Sequence, residues 1–207
     1  MNDIKNIVIS GICRSGKSTL ANRIFQRIKC SVIHCDALCE RLKETYPETF
    51  DSEHRLDGTI QADKREIVVI RLIQTMGQTT GERFDHLRVY DTTVLTPETV
   101  ASHLMTPDNF VLYLGYPNAN PREKLDIVRS DPGCWLHGST EDRALELITH
   151  FVSYSACLQE ACARYNIPFV DMSYDFEEAI SRAYNLVTDA LVNRVEDIAA
   201  GAPNPHP

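Results

Sequence analysis

The sequence predicts a single α/β domain in which a five-stranded parallel sheet carries helices on both faces. Short apolar runs of strand length recur along the chain, and stretches with a helical 3,4 spacing of apolar residues separate them. No internal repeat or second core is visible among the 207 residues. We expect residues 1–201 to form this domain and the Pro-rich residues 202–207 to be a disordered tail.

The predicted strands are short runs of β-branched and other apolar residues, as in parallel strands buried on both faces. They span residues 7–9, 31–35, 87–90, 110–114 and 167–170, and the fourth, the most apolar, predicts a central strand. Asp36 and Asp91 directly follow the second and third strands. Because parallel strands bind ligands at their carboxyl ends, both carboxylates are candidate site residues.

The predicted helices alternate with these strands. The first carries Leu20, Ile24 and Ile28 on one face, and the next begins near Ala37. Further helical patterns cover residues 60–76, a short stretch after Pro97, and residues 123–129, 145–162 and 176–195. Two segments, about 45–86 and about 117–140, are predicted appendages of the core, and residues 45–59 and 117–138 within them carry Pro, Gly and charge.

A glycine-rich loop separates the first strand from the first helix, and it fits G-x-x-x-x-G-K-[ST] without a mismatch. Its glycines permit backbone angles that a β-carbon forbids, so its N–H groups can point inward at an anion. The helix that follows adds its positive N-terminal end. The predicted phosphate-binding residues are Gly11, Cys13, Arg14, Ser15, Gly16, Lys17, Ser18 and Thr19. A glycine turn without a ligand is the alternative, which the strand–loop–helix context disfavours.

Composition limits the partners and the compartment. The formal net charge of -8 disfavours nucleic acid and anionic membranes, and no apolar run is long enough to span a bilayer. The N-terminus lacks the features of a signal peptide. Seven cysteines without a Cys-x-x-Cys pair predict reduced thiols, and hence a cytoplasmic, soluble protein. Cys35 and Cys39 could ligate a metal, although buried thiols are the simpler interpretation.

The loop at 11–18, Asp36 after the second strand and the Arg-bearing segment near 122–143 together resemble the P-loop small-molecule and nucleotide kinases. This superfamily includes the adenylate, shikimate, gluconate and dephospho-coenzyme A kinases. The resemblance implies a three-layer P-loop NTPase fold with a substrate-binding insertion at 45–86 and a lid at 117–140. It also implies ATP and Mg²⁺ as cofactors and a small molecule as phosphate acceptor.

Individual roles follow from this resemblance and from the residue types. Lys17 would hold the β- and γ-phosphates, while Ser18 and Asp91 would hold Mg²⁺. Asp36 would orient the acceptor hydroxyl or take its proton. Among Arg122, Arg129 and Arg143, Arg129 is the preferred lid cation for the transferred phosphoryl group. Trp135 lies in the same segment, and for it we expect packing within the lid rather than a role in the site.

Each of these residues could instead have a purely structural role. Asp36 could simply cap the next helix, and Asp91 could cap a turn or bind substrate. Arginines on a surface usually contact only water. For the whole chain, the main hypothesis is ATP-dependent phosphoryl transfer to a metabolite or nucleoside-type acceptor. The alternatives are a nucleotide-binding regulator with little phosphotransfer, and a kinase acting on nucleic-acid ends, which the negative charge disfavours.

Overall fold

The computed structural model describes residues 4–47, 64–78 and 86–199. Within these residues, five parallel strands form one sheet in the order β2-β3-β1-β4-β5. The strands are β1 Asn6–Gly11, β2 Cys30–His34, β3 Leu87–Asp91, β4 Asn109–Gly115 and β5 Phe169–Asp171. This confirms the predicted α/β class and sheet, and each strand differs from its predicted bounds by one or two residues at one or both ends.

Helices connect the strands in the predicted alternation. They are α1 Lys17–Arg27, α2 Cys35–Thr45, α3 Lys64–Gln78, α4 Pro97–His103, α5 Pro121–Arg129, α6 Glu141–Arg164 and α7 Phe176–Ala199. A single 3₁₀ turn, Trp135–Gly138, lies between α5 and α6. No helix in these described ranges combines the length and apolarity that crossing a membrane requires.

The two faces of the sheet carry separate cores, because successive side chains of a strand point in opposite directions. Ile7 and Ile9 of β1 pack in one cluster with α1 and α7. Val8, which lies between them, packs in the other cluster with residues of α2, α3, α4 and α6. The chain therefore has three layers, with helices on both faces of the sheet.

The segment that the sequence assigned to a lid packs mainly on α6. A third cluster joins α5 and the 3₁₀ turn to the start of α6, and its members are Leu125, Val128, Cys134, Leu136, Ala144 and Ile148. The division into core, insertion and lid stays a prediction. Residues 48–63 and 79–85 of the insertion, and the predicted tail 202–207, lie outside the described residues.

Candidate active site

The predicted phosphate-binding loop, residues 11–18, joins β1 to α1 and has the backbone conformation that its glycines predict. We call it the phosphate loop. Gly11 has a φ of 125° and Gly16 a φ of 96°, in the region that glycine adopts without strain. A β-carbon on Gly11 would lie 2.0 Å from the Leu114 carbonyl oxygen, so β4 also excludes any side chain there. Arg14 adopts a φ of 62° between them. The loop thus presents its backbone to the space in front of α1.

Lys17 opens α1 and is almost completely buried, with 6% of its surface exposed. Its Nζ donates a hydrogen bond to the Ile12 carbonyl at 2.8 Å. Burial lowers the pKa of Lys17, while the nearby Cys13, Asp91 and Asp36 raise it. A buried cation whose hydrogen bond in the described part of the chain goes to a neutral carbonyl is suited to bind a further anion.

Ser18 and Asp91, the two predicted metal ligands, lie in contact. The Ser18 hydroxyl donates to Asp91 Oδ2 at 2.6 Å, and Asp91 is buried at the end of β3. His34 Nδ1 lies 3.1 Å from the same oxygen, a neighbour that the sequence analysis missed. The described residues contain no group of three or more His, Cys, Asp or Glu side chains that could hold a metal ion. Hydroxyl and carboxylate oxygens nevertheless fit Mg²⁺, which completes its coordination with water and phosphate oxygens.

Asp36 lies in the first turn of α2 rather than at its N-cap, which is His34. The interpretation of Asp36 as a helix cap is therefore wrong. Its Oδ1 instead accepts hydrogen bonds from the Thr93 N–H at 2.9 Å and the Thr92 hydroxyl at 3.4 Å. These contacts tie α2 to the loop after β3 and hold the carboxylate beside the phosphate loop.

One cavity of about 500 Å³ brings most of the predicted residues together. Of the predicted loop residues, all but Gly11 and Ser15 line it, together with Asp36 and Asp91. Thr93, Asp131, Trp135 and Phe176 complete its wall. Trp135 is 54% exposed, so the expectation that it packs within the lid is wrong; its neighbour Leu136 takes the buried position.

The lid-segment arginines contact protein groups rather than this cavity. Arg129 Nη2 donates to the Ser139 carbonyl at 3.1 Å, and its buried Nε has no hydrogen-bond partner among the residues that the structure describes. Arg122 pairs with Glu141, and Arg143 pairs with Glu146. Arg129 is not among the residues that line the cavity, so its catalytic role stays a prediction that requires a movement of the lid.

Lys124 and Tyr116 connect α5 to the phosphate loop, and the sequence analysis missed both. The Tyr116 hydroxyl donates to the Cys13 carbonyl at 2.8 Å. Lys124 Nζ lies 4.3 Å from the centre of the Tyr116 ring, a cation–π contact that supports the ring from the α5 side. One feature of the sequence could have indicated that Lys124 is buried: it lies next to Leu125 and one helical turn before Val128, on the apolar face of α5.

Replacing Lys124 by Met should change how stability depends on pH. Burial lowers the pKa of Lys124 to about 8, from an ordinary 10.5. Between these values the unfolded chain binds a proton that the folded chain does not, so this residue's contribution to stability rises with pH. The stability of Lys124→Met relative to wild type should therefore fall by about 1–3 kcal/mol from pH 8 to pH 10.5. Urea unfolding at several pH values measures it, and a constant difference would contradict it.

The fold has counterparts among solved structures. The shikimate kinase of Bacteroides thetaiotaomicron superposes with a TM-score of 0.55 and 14% identity, over 88% of this chain and 98% of that chain. The shikimate kinase of Acinetobacter baumannii in complex with shikimate superposes with a TM-score of 0.52 and 15% identity, over 92% and 94%. No protein-family model and no curated protein sequence matches the chain. At these identities the likeness concerns the fold.

Proposed function

Because the chain has the P-loop kinase fold, we propose that it transfers the γ-phosphoryl group of ATP, with Mg²⁺, to a small-molecule hydroxyl. The observation that carries this proposal is the convergence of Lys17, Ser18, Asp91 and Asp36 on one cavity. A phosphate-binding loop alone would serve any nucleotide-binding protein. A second carboxylate in the same cavity, Asp36, adds a group for the acceptor.

The phosphate end of the cavity binds and neutralises charge. The loop amides and Lys17 would hold the β- and γ-phosphates, and Ser18 and Asp91 would hold Mg²⁺. When bound, Mg²⁺ would shield the negative charge that develops between the phosphates. Phosphoryl transfer needs mainly positioning and charge stabilisation, which these fixed groups supply.

The acceptor end is defined by Asp36. The Thr93 N–H and the Thr92 hydroxyl fix Oδ1, so Oδ2 is the atom left to accept the acceptor's hydroxyl proton. We propose this orienting or proton-accepting role for Asp36. For Arg129 we propose a contact with the transferred group in a closed state, in which it would give up the Ser139 carbonyl.

The activity is tested with purified protein, ATP, Mg²⁺ and a panel of hydroxylated metabolites. The panel should contain sugars, sugar acids and nucleosides, and also shikimate, the ligand of one structural neighbour. Mass spectrometry detects the phosphorylated product, and a coupled assay detects ADP. If no member of a broad panel is phosphorylated while ATP binds tightly, the kinase proposal is wrong and a nucleotide-binding regulator becomes the better description.

Replacing Asp36 by Asn should separate acceptor chemistry from nucleotide binding. Asn keeps an oxygen that can accept from the Thr93 N–H, so the loop should keep its place, but it accepts protons poorly. We expect kcat to fall about 10²–10⁴-fold, the usual contribution of a general base. The Kd for ATP should stay within about twofold, since the loop amides and Lys17 remain. Asp126→Asn, at an exposed carboxylate of α5, is the control; an unchanged kcat in Asp36→Asn would remove Asp36 from the mechanism.

A further inference from the structure

Arg14 occupies a backbone position that ordinary side chains avoid. Its φ of 62° lies in the left-handed region, where a residue with a β-carbon is strained and glycine is not. The loop nevertheless carries a long cationic side chain at this point. Strained residues at binding sites persist where the surrounding contacts hold them, so the contacts of Arg14 need an explanation.

Those contacts join the phosphate loop to the turn after α5. Arg14 Nη1 lies 2.6 Å from Asp131 Oδ2, and Nη2 donates to the Gly133 carbonyl at 3.3 Å. Asp131 Oδ1 accepts from the Gly133 N–H at 3.0 Å, so the carboxylate is held by its own turn. This N–H and then Arg14 lower the pKa of Asp131 and keep it charged. We call the pair of Arg14 and Asp131 the latch.

The latch lies in the wall of the cavity that would hold the nucleotide. Arg14 and Asp131 both line it, together with Lys17 and Ser18. Among the residues that the structure describes, Arg14 and Lys17 are the cations in this wall. The side chain of Arg14 is 25% exposed and that of Asp131 is 52% exposed, so solvent reaches the pair and the guanidinium can leave it.

We propose that Arg14 exchanges partners: it holds the turn 130–138 through Asp131 when the site is empty, and binds the phosphates when a nucleotide triphosphate enters. This rests on the proposed function, since the incoming partner is a triphosphate. Asp131 then competes with the nucleotide for one guanidinium. The latch is thus a contact of this turn with the phosphate loop that nucleotide binding would break, while the packing of Cys134 and Leu136 on α6 remains.

Competition for Arg14 makes a thermodynamic prediction. The ion pair between Arg14 and Asp131 must break before Arg14 can bind phosphate, which weakens the apparent affinity for nucleotide. Removing the Asp131 carboxylate should therefore tighten nucleotide binding. Loss of a negative charge near the cavity would also tighten the binding of an anion, whatever Arg14 does. The two causes differ in one respect: the gain from the exchange needs Arg14, and the general electrostatic gain does not.

The experiment is a double-mutant cycle with Arg14→Gln, Asp131→Asn and the double variant. Calorimetry measures the Kd for the non-hydrolysable triphosphate AMP-PNP with Mg²⁺, so turnover plays no part. Arg14→Gly is a second variant, because glycine accepts the left-handed backbone and keeps the loop shape if glutamine disturbs it. Glu44→Gln removes a carboxylate of equal charge from the exposed pair of Arg41 and Glu44 and is the control.

We expect Asp131→Asn to bind about two- to fivefold more tightly, the range for an exposed ion pair. Arg14→Gln and Arg14→Gly should bind about tenfold or more weakly, as loss of a charged hydrogen bond predicts. In the Arg14→Gln background, Asp131→Asn should give a clearly smaller gain, limited to the general electrostatic part, and Glu44→Gln should match wild type. An equal gain from Asp131→Asn in both backgrounds, or unchanged binding by both Arg14 variants, would overturn the exchange.

Trp135 supplies a second readout, since it is the one tryptophan in the chain and lies four residues after Asp131. Nucleotide should shift the Trp135 emission of wild type, and nucleotide-free Asp131→Asn should already show part of that shift. Emission of Asp131→Asn identical to nucleotide-free wild type would overturn the latch. If wild type binds no triphosphate at all, both the proposed function and the exchange fail. If it binds normally but the cycle shows no coupling, only the exchange fails.

Discussion

Replacing Lys17 by Met should lower kcat/KM for phosphoryl transfer about 10²–10³-fold, the usual loss when a group that stabilises transition-state charge is removed. The Lys17 ammonium is buried at the start of α1, where loop amides and a helix N-terminus already favour anions. Its positive charge would act on the phosphate oxygens where charge develops during transfer. Steady-state kinetics with the acceptor found in the panel measures the loss, and calorimetry with AMP-PNP measures the accompanying loss of affinity.

The fold should tolerate this substitution. Methionine fills the space of the lysine stem, and the Ile12 carbonyl keeps the Ser15 hydroxyl as a donor at 2.8 Å. Lys29→Met, at an exposed lysine after α1, is the matched control and should retain wild-type kinetics. Circular dichroism and thermal unfolding should show a folded Lys17→Met protein. A folded Lys17→Met variant with full activity would contradict the assignment of the phosphate site.

Replacing Gly11 by Ala should destabilise the protein by about 3 kcal/mol or more, which exceeds the effect of most single substitutions. Two causes combine. A φ of 125° is strained for any residue with a β-carbon, and that carbon would lie 2.0 Å from the Leu114 carbonyl oxygen. Relief requires β1 to move away from β4, which is its neighbour along the whole strand. Urea unfolding measures the free energy of unfolding.

Gly138→Ala provides a matched control within the same chain. A β-carbon on Gly138 meets nothing within 4 Å, so the same substitution there should cost less than about 1 kcal/mol. The comparison separates the shape of the phosphate loop from the general effect of a glycine substitution. Equal stabilities of Gly11→Ala and Gly138→Ala would show that the loop does not have the described conformation.

The sequence predicted the parts of the site that depend on local order along the chain. The glycine spacing of the phosphate loop, the strand before it and the amphipathic helix after it are close neighbours in sequence, so their pattern carries the structure. Ser18 and Asp91 were each predicted to hold Mg²⁺, and the structure places them in contact although 73 residues separate them. Their role as metal ligands stays a prediction.

The misplacements have a common physical origin. Asp36 was assigned a possible capping role because capping depends on nearby backbone groups, but its partner is the backbone of Thr93, on another strand's loop. Trp135 was expected to pack in the lid because large aromatic residues are usually buried, yet Leu136 occupies that position. The preference for Arg129 as the lid cation is not among these errors: Arg129 does not line the cavity in the described residues, and its catalytic role stays a prediction.

The amino-acid order by itself determined the alternation of strands and helices and the conformation of the glycine-rich loop. It also determined that Asp36 and Asp91 lie at or just after strand ends. These follow from backbone sterics and side-chain periodicity, which act over a few residues. The tertiary structure alone decided that Arg14 faces Asp131, 117 residues away, and that Lys124 supports a tyrosine hydrogen-bonded to Cys13. Such contacts depend on how α5 and its turn pack on α6. The free energy of that packing is a sum over many residues that are distant in sequence, so a local sequence pattern does not predict it.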